Sequence, residues 1–85
     1  VRDARQHRID RAILRTLSNC GNYLLPDSIL RDEISLLVVP SPTTGELDNS
    51  IGYLDTGRLI TGVLAETGKK WKLSDGGRAW LAENP

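Results

Sequence analysis

Three groups of residues in this sequence could carry chemistry: a lone thiol with a lone imidazole, a pair of adjacent carboxylates, and two sets of basic side chains. Cys20 is the only cysteine and His7 the only histidine. A structural zinc takes four Cys, His or carboxylate ligands, so this pair falls short of the usual set, and neither a metal nor a cofactor is expected. One cysteine forms no intrachain disulfide, which fits a reducing, cytoplasmic setting. A Cys-His nucleophile would have to use these two residues, but His7 stands in an Arg-rich leader and Cys20 reads as a small apolar packing residue. Asp32 and Glu33 are sequence neighbours, about 100 degrees apart on a helix, and do not make a catalytic pair by spacing. Gly76 and Gly77 lack the further glycine and the Lys-Ser/Thr of a phosphate loop, and read as a tight strand-to-helix turn. The chain is expected to bind rather than to catalyse.

The basic residues are the stronger signal. Arg8, Arg11 and Arg15 fall together on the helical face opposite Ile9, Ile13 and Leu17. Lys69, Lys70 and Lys72 surround Trp71 in an alternating stretch. Each set reads either as a solvated face or as cations that neutralise phosphates and release counterions. The chain carries 11 Lys+Arg against 11 Asp+Glu in 85 residues, a formal net charge of zero. That sum conceals a pattern: residues 1–20 hold five Arg and two Asp, residues 21–57 one Arg and six acids, and residues 58–85 five Lys/Arg and three acids. The ends are basic and the middle is acidic.

The elements that position these residues follow from periodicity. Eighty-five residues make one domain, spanning 1–85, with a modest core. Leu36 to Val39 is the longest apolar run, far short of the roughly 20 residues that cross a bilayer. The charged start, VRDARQHR, does not read as a secretory leader. A first helix is expected over Asp3 to Asn19, stopped by Gly21. Asn22 to Leu25 reads as a short extended stretch before Pro26. A second helix opens on Pro26 and Asp27, with Ile29, Leu30, Ile34 and Leu37 as its core face, and Pro40 and Pro42 end it. Thr43 with Glu46 is a capping-box pattern for a third helix, in which Leu47, Ile51 and Leu54 point inward and Asn49, Tyr53 and Thr56 outward. Leu59 to Glu66, a Thr67-Gly68 turn and Lys70 to Ser74 form a hairpin with Trp71 and Leu73 facing in and the lysines out. Ser74 or Asp75 caps a short last helix containing Trp80 and Leu81.

Helix, short strand, helix, helix and hairpin is the order of a winged-helix domain. The segment YLDTGRLITG, the hairpin and WKLSDGGRAWL resemble a pattern found in many bacterial winged-helix proteins: a third helix ending in Gly, a Leu-Ile strand, a wing, and a Leu-Ser-x-x-Gly turn into the last helix. The resemblance implies an α+β fold with a three-helix core, a C-terminal β-hairpin wing and a short final helix. It further implies that the third helix enters a DNA major groove while the wing lies on the backbone or minor groove. Carried over, Asn49, Tyr53 and Thr56 lie on the reading helix, Thr43 and Thr44 at its start, Lys69, Lys70 and Lys72 on the wing, and Arg8, Arg11 and Arg15 form a secondary basic ridge.

The expected partner is double-stranded DNA, in a small transcriptional regulator or a phage-like or mobile-element protein. Two features depart from the pattern. Between Thr43 and Thr56 there is no Lys or Arg, while Glu46, Asp48 and Asp55 would approach a polyanion unneutralised. The turn before the third helix also exceeds the usual three or four residues. The alternative partner is a protein docked on the acidic third helix, with Tyr53 and Trp80 as anchors, and a homodimer through the first or last helix belongs to the same class.

Overall fold

Asp3 begins the first helix by accepting the Gln6 N–H on its side chain at 2.7 Å, which satisfies one of the orphan donors of the first turn. In the computed structural model, which describes residues 3–21 and 23–84, this helix α1 spans Ala4–Asn19. Ile9, Ile13, Leu14 and Leu17 are fully buried on one side, as the spacing predicts. Asp10 is buried with them, a carboxyl that an apolar pattern does not reveal.

The short extended stretch forms at Leu25–Pro26 as strand β1, overlapping the expected Asn22 to Leu25 only at Leu25; Asn22 lies outside the described residues. Pro26 has no N–H to donate, so an edge position suits it. Helix α2 follows at Asp27–Leu37, with Leu30 and Ile34 buried and Val38 buried just beyond. Ile29 and Leu37 were expected in the core but are largely exposed. Their side of α2 borders α1 at Thr16 and Cys20 and β1 at Leu25, along an open groove of about 340 Å³. Residues 38–43 then link to helix α3, Thr44–Thr56. Arg5 Nη2 donates to the Pro40 carbonyl at 3.1 Å and Ser41 Oγ to the Ser35 carbonyl at 2.8 Å, so the long turn is pinned on both sides.

The capping box is complete: Glu46 N–H donates to Thr43 Oγ1 and Thr43 N–H to Glu46 Oε1, both at 3.1 Å. Leu47, Ser50, Ile51 and Leu54 form the buried side of α3. The helix stops at Gly57, but Arg58, at φ 59, takes the left-handed position that reverses the chain. Strands β2, Ile60–Ala65, and β3, Gly68–Leu73, pair antiparallel around a Glu66-Thr67 turn, and β1 joins the far side of β3 to give the order β1-β3-β2. Helix α4, Asp75–Glu83, is capped by Ser74, whose Oγ accepts the Gly77 N–H at 3.2 Å. A Cβ on Gly77 would collide with the Leu59 carbonyl oxygen, so this glycine lets α4 pack directly on the start of β2. The fold is α+β, with α1 to α3 around the core, the β2-β3 hairpin as a projecting wing, and α4 closing the chain.

Trp71 joins the wing to the helices. It is 4% exposed and crosses β2 at Gly62, where a Cβ would stand 2.8 Å from the ring. Opposite Gly62 in the register, the indole fills the space a side chain would take. Replacing Trp71 by Ala is expected to cost about 3–5 kcal/mol, measured by urea unfolding, because the ring is buried and the rigid hairpin cannot collapse into the space.

Candidate nucleic-acid interface

The buried residues of α3 fix what its other side presents. Opposite Leu47, Ile51 and Leu54 lie Gly45, Asn49, Gly52 and Thr56, all exposed. Glu46 and Tyr53 occupy one shoulder, Asp48 and Asp55 the other. The outward face is therefore uncharged and low in profile. Thr44 is exposed at its first turn, whereas the Thr43 hydroxyl is engaged in the cap rather than turned outward.

Two of the three shoulder carboxylates, Glu46 and Asp48, are not bare, contrary to the sequence expectation. Arg5, on α1, grips Glu46 with two hydrogen bonds, Nε to Oε2 at 2.6 Å and Nη2 to Oε1 at 3.1 Å. Gln6 adds a donor to Ser50 Oγ at 2.7 Å and another to the Glu46 carbonyl at 3.2 Å. On the other shoulder Arg31 Nη2 meets Asp48 Oδ1 at 2.6 Å. Two of the three acids on α3 are thus countered by arginines from the neighbouring helices. Arg5's hydrogen bond, with the Thr43 N–H behind it, holds the Glu46 carboxyl down to about 2.

Arg31 also binds Asp27, Nε to Oδ2 at 2.8 Å, and Asp27 Oδ1 accepts the Trp71 indole N–H at 3.0 Å. One chain of polar contacts therefore runs from β3 through α2 to α3. Burial pushes the Asp27 carboxyl up, but the hydrogen bonds from Trp71 and Arg31 outweigh it and leave the group below the ordinary carboxylate range.

The wing lysines divide between two faces. Lys69 shares the face of Trp71 and Leu73, and its Nζ stands 4.5 Å from the Trp71 ring centroid in a cation–π contact. Lys70 and Lys72 project from the opposite face, beside Val63 and Thr61 in the register. Lys72 lines a shallow groove of about 330 Å³ together with Asp75 and Arg78. The expected outward row of three is thus a pair, with the third lysine drawn back over the indole.

Asn49, Tyr53 and Thr56 do come together. With Leu59 and Trp80 they line an open groove of about 610 Å³ between α3 and α4. Tyr53 is 47% exposed there, while Trp80 packs against the core and lies 5.2 Å, centroid to centroid, from the His7 ring. Arg8, Arg11 and Arg15 border the end of α2 at Leu37 and Val38, and Arg15 also approaches Leu81 of α4. The grooves they line share no residue with the groove of Lys72. Sequence reasoning missed Arg5, Arg31 and Asp27 as the residues that set the charge of α3, since nothing local marks an arginine for a partner on another helix.

Asp27 and Glu46 make the fold acid-sensitive in a defined window. A carboxyl held below its unfolded value of about 4 adds stability at neutral pH and surrenders it as pH falls through the folded value. Thermal melts should hold level from about pH 7 to 5 and fall from about pH 4 towards 2. Asp27→Asn should melt below the parent chain at pH 7, with the gap closing at the acid end of the same series.

No protein-family model and no curated protein matches this sequence. In three dimensions the chain is similar to the crystal structure of a PadR-like transcription factor from Bacteroides fragilis, with a TM-score of 0.72 and 19% sequence identity over 94% of this chain and 79% of that one. At that identity the likeness bears on the fold alone, and it agrees with the three-helix core, hairpin wing and closing helix described above. The chain has the winged-helix fold.

Proposed function

We propose that this chain is a DNA-binding winged-helix module of a bacterial-type transcription regulator, acting in the cytoplasm and binding rather than catalysing. The observation that carries the reading is the charge of α3. With Glu46 and Asp48 tied to Arg5 and Arg31, the helix offers a polyanion the neutral face of Asn49 and Thr56, with Thr44 at its first turn, instead of a row of bare carboxylates. Gly45 and Gly52 keep that face low, so the helix backbone can come close to a groove floor. Asn49 can make paired hydrogen bonds to adenine, and the threonine hydroxyls can reach bases or phosphates. Lys70 and Lys72 on the outer wing face supply phosphate contacts. The Trp71–Asp27–Arg31–Asp48 chain sets the angle between wing and helix, so both would reach one duplex together. A PadR-like transcription factor of the same fold supports the class of function.

The competing protein-docking role for an acidic third helix loses much of its basis, because two of the three acids already have arginine partners. What still favours it is half-exposed Tyr53 beside Trp80, which would receive an apolar side chain from a partner.

Fluorescence anisotropy with a mixed-sequence duplex tests the DNA reading. Affinity should fall steeply between about 50 and 200 mM salt, and Lys70→Glu with Lys72→Glu should weaken binding while lowering the log–log salt slope by about one per lysine. Binding that is flat with salt, or unchanged by the double substitution, excludes the wing as the contact. Gly52→Ala gives an independent check on α3. Residue 52 has open space around it, so alanine should stabilise the helix by roughly 0.5–1 kcal/mol and still weaken DNA binding if that face meets the groove.

A further inference from the structure

Lys69 leans away from its own register partner. That partner is Leu64, near the tip of the wing, yet Lys69 Cε lies 2.6 Å from where a Cβ on Gly62 would stand, two residues back along β2. The same position is 2.8 Å from the Trp71 ring. The notch at Gly62 therefore holds two side chains, the indole and the lysine stem, and Leu64 is left 83% exposed beside them. Glycine inside a strand marks a place where another group approaches closely. At the end of the stem the ammonium stands 4.5 Å from the Trp71 ring centroid.

The indole is thus engaged twice. Lys69 holds its face, and Asp27 Oδ1 accepts its N–H at 3.0 Å. A cation over the face polarises the ring and strengthens the N–H as a donor, as linked polar contacts strengthen one another. Lys69 also reaches Asp27 through space: burial pushes that carboxyl up, the hydrogen bonds from Trp71 and Arg31 bring it down, and the Lys69 charge brings it down further. Lys70 and Lys72 project from the opposite face of the wing, away from both groups. The charge of Lys69 is spent inside the fold, while theirs faces outward.

Resting on the DNA reading above, we propose that Lys69 is a positioning residue of the wing, acting on DNA binding by locking the Trp71 indole against Asp27 and not by touching a phosphate. Asp27 passes the restraint to Arg31, and Arg31 to Asp48 on α3. With the lysine charge removed, the wing is held less firmly against the third helix, and fewer encounters place both on one duplex.

Lys69→Met tests this, because methionine keeps an unbranched apolar stem and removes the charge, while Lys69→Arg keeps a cation that stacks on an indole. In the free protein the Trp71 Nε1–H resonance, told from that of Trp80 by comparison with Trp80→Phe, follows the ionisation of Asp27 as pH is lowered from about 6. Its midpoint should rise in Lys69→Met and return towards the parent value in Lys69→Arg. In fluorescence anisotropy with a mixed-sequence duplex, Lys69→Met should bind about two- to fivefold more weakly, the size of one exposed cation–π contact, with the log–log salt slope of the parent chain. Lys70→Met in the same series should lower that slope by about one, as the loss of a phosphate contact does. A slope lowered equally by Lys69→Met, an affinity equal to the parent's, or an unmoved Trp71 midpoint each overturns the proposal. A parent chain whose DNA signal is flat with salt is instead a failure of the proposed function, and the Trp71 midpoint, read without DNA, still decides whether Lys69 holds the indole against Asp27.

Discussion

Asp27 accepts hydrogen bonds from two directions, from the Trp71 indole on the wing and from Arg31 one helical turn along α2. Arg31 in turn reaches Asp48 on α3. Through this one carboxylate three elements that are distant in sequence are held at fixed angles. A half-buried carboxylate with hydrogen bonds on both oxygens constrains geometry more tightly than apolar packing alone, since charge-assisted bonds weaken steeply with misalignment. The position also favours the charge, because Asp27 lies in the first turn of α2, at the positive end of the helix dipole. Gly62 completes the arrangement from the opposite side of the indole by leaving room for the ring.

The second support is at the other shoulder of α3. Arg5 and Gln6, from the first turn of α1, hold Glu46 and Ser50, and Arg5 also steadies the proline-containing turn at Pro40. The same Glu46 closes the capping box of α3. A single side chain thus starts the helix, fixes its position against α1 and shields its own charge. The isolated worth of such part-exposed pairs is small; their effect here is to decide which residues of α3 are left facing outward.

Charge is where local reading and tertiary packing diverge most. An acidic stretch from 21 to 57 argues against a nucleic-acid partner when charges are summed along the chain. Folding redistributes that charge, bringing arginines from α1 and α2 onto the shoulders of α3, while the remaining arginines of α1 gather beside the end of α2 in grooves that share no residue with the groove of Lys72. The wing shows the same divergence on a smaller scale, for strand alternation turns three consecutive-looking lysines into two that face out and one that covers an indole.

The sequence by itself determined the order of the elements, the capping box at Thr43 and Glu46, the buried sides of α1 and α3, and the inward pair Trp71 and Leu73. These follow from periods of 3.6 and 2 and from backbone rules that act between near neighbours. Tertiary structure alone decided that Ile29 and Leu37 stay outside the core, because that side of α2 lines an open groove against α1. It alone chose the partners of Arg5, 41 residues from Glu46, and of Arg31, 17 residues from Asp48. An ion pair depends on how separate elements pack against each other, and the identity of either residue carries no record of where the other will stand.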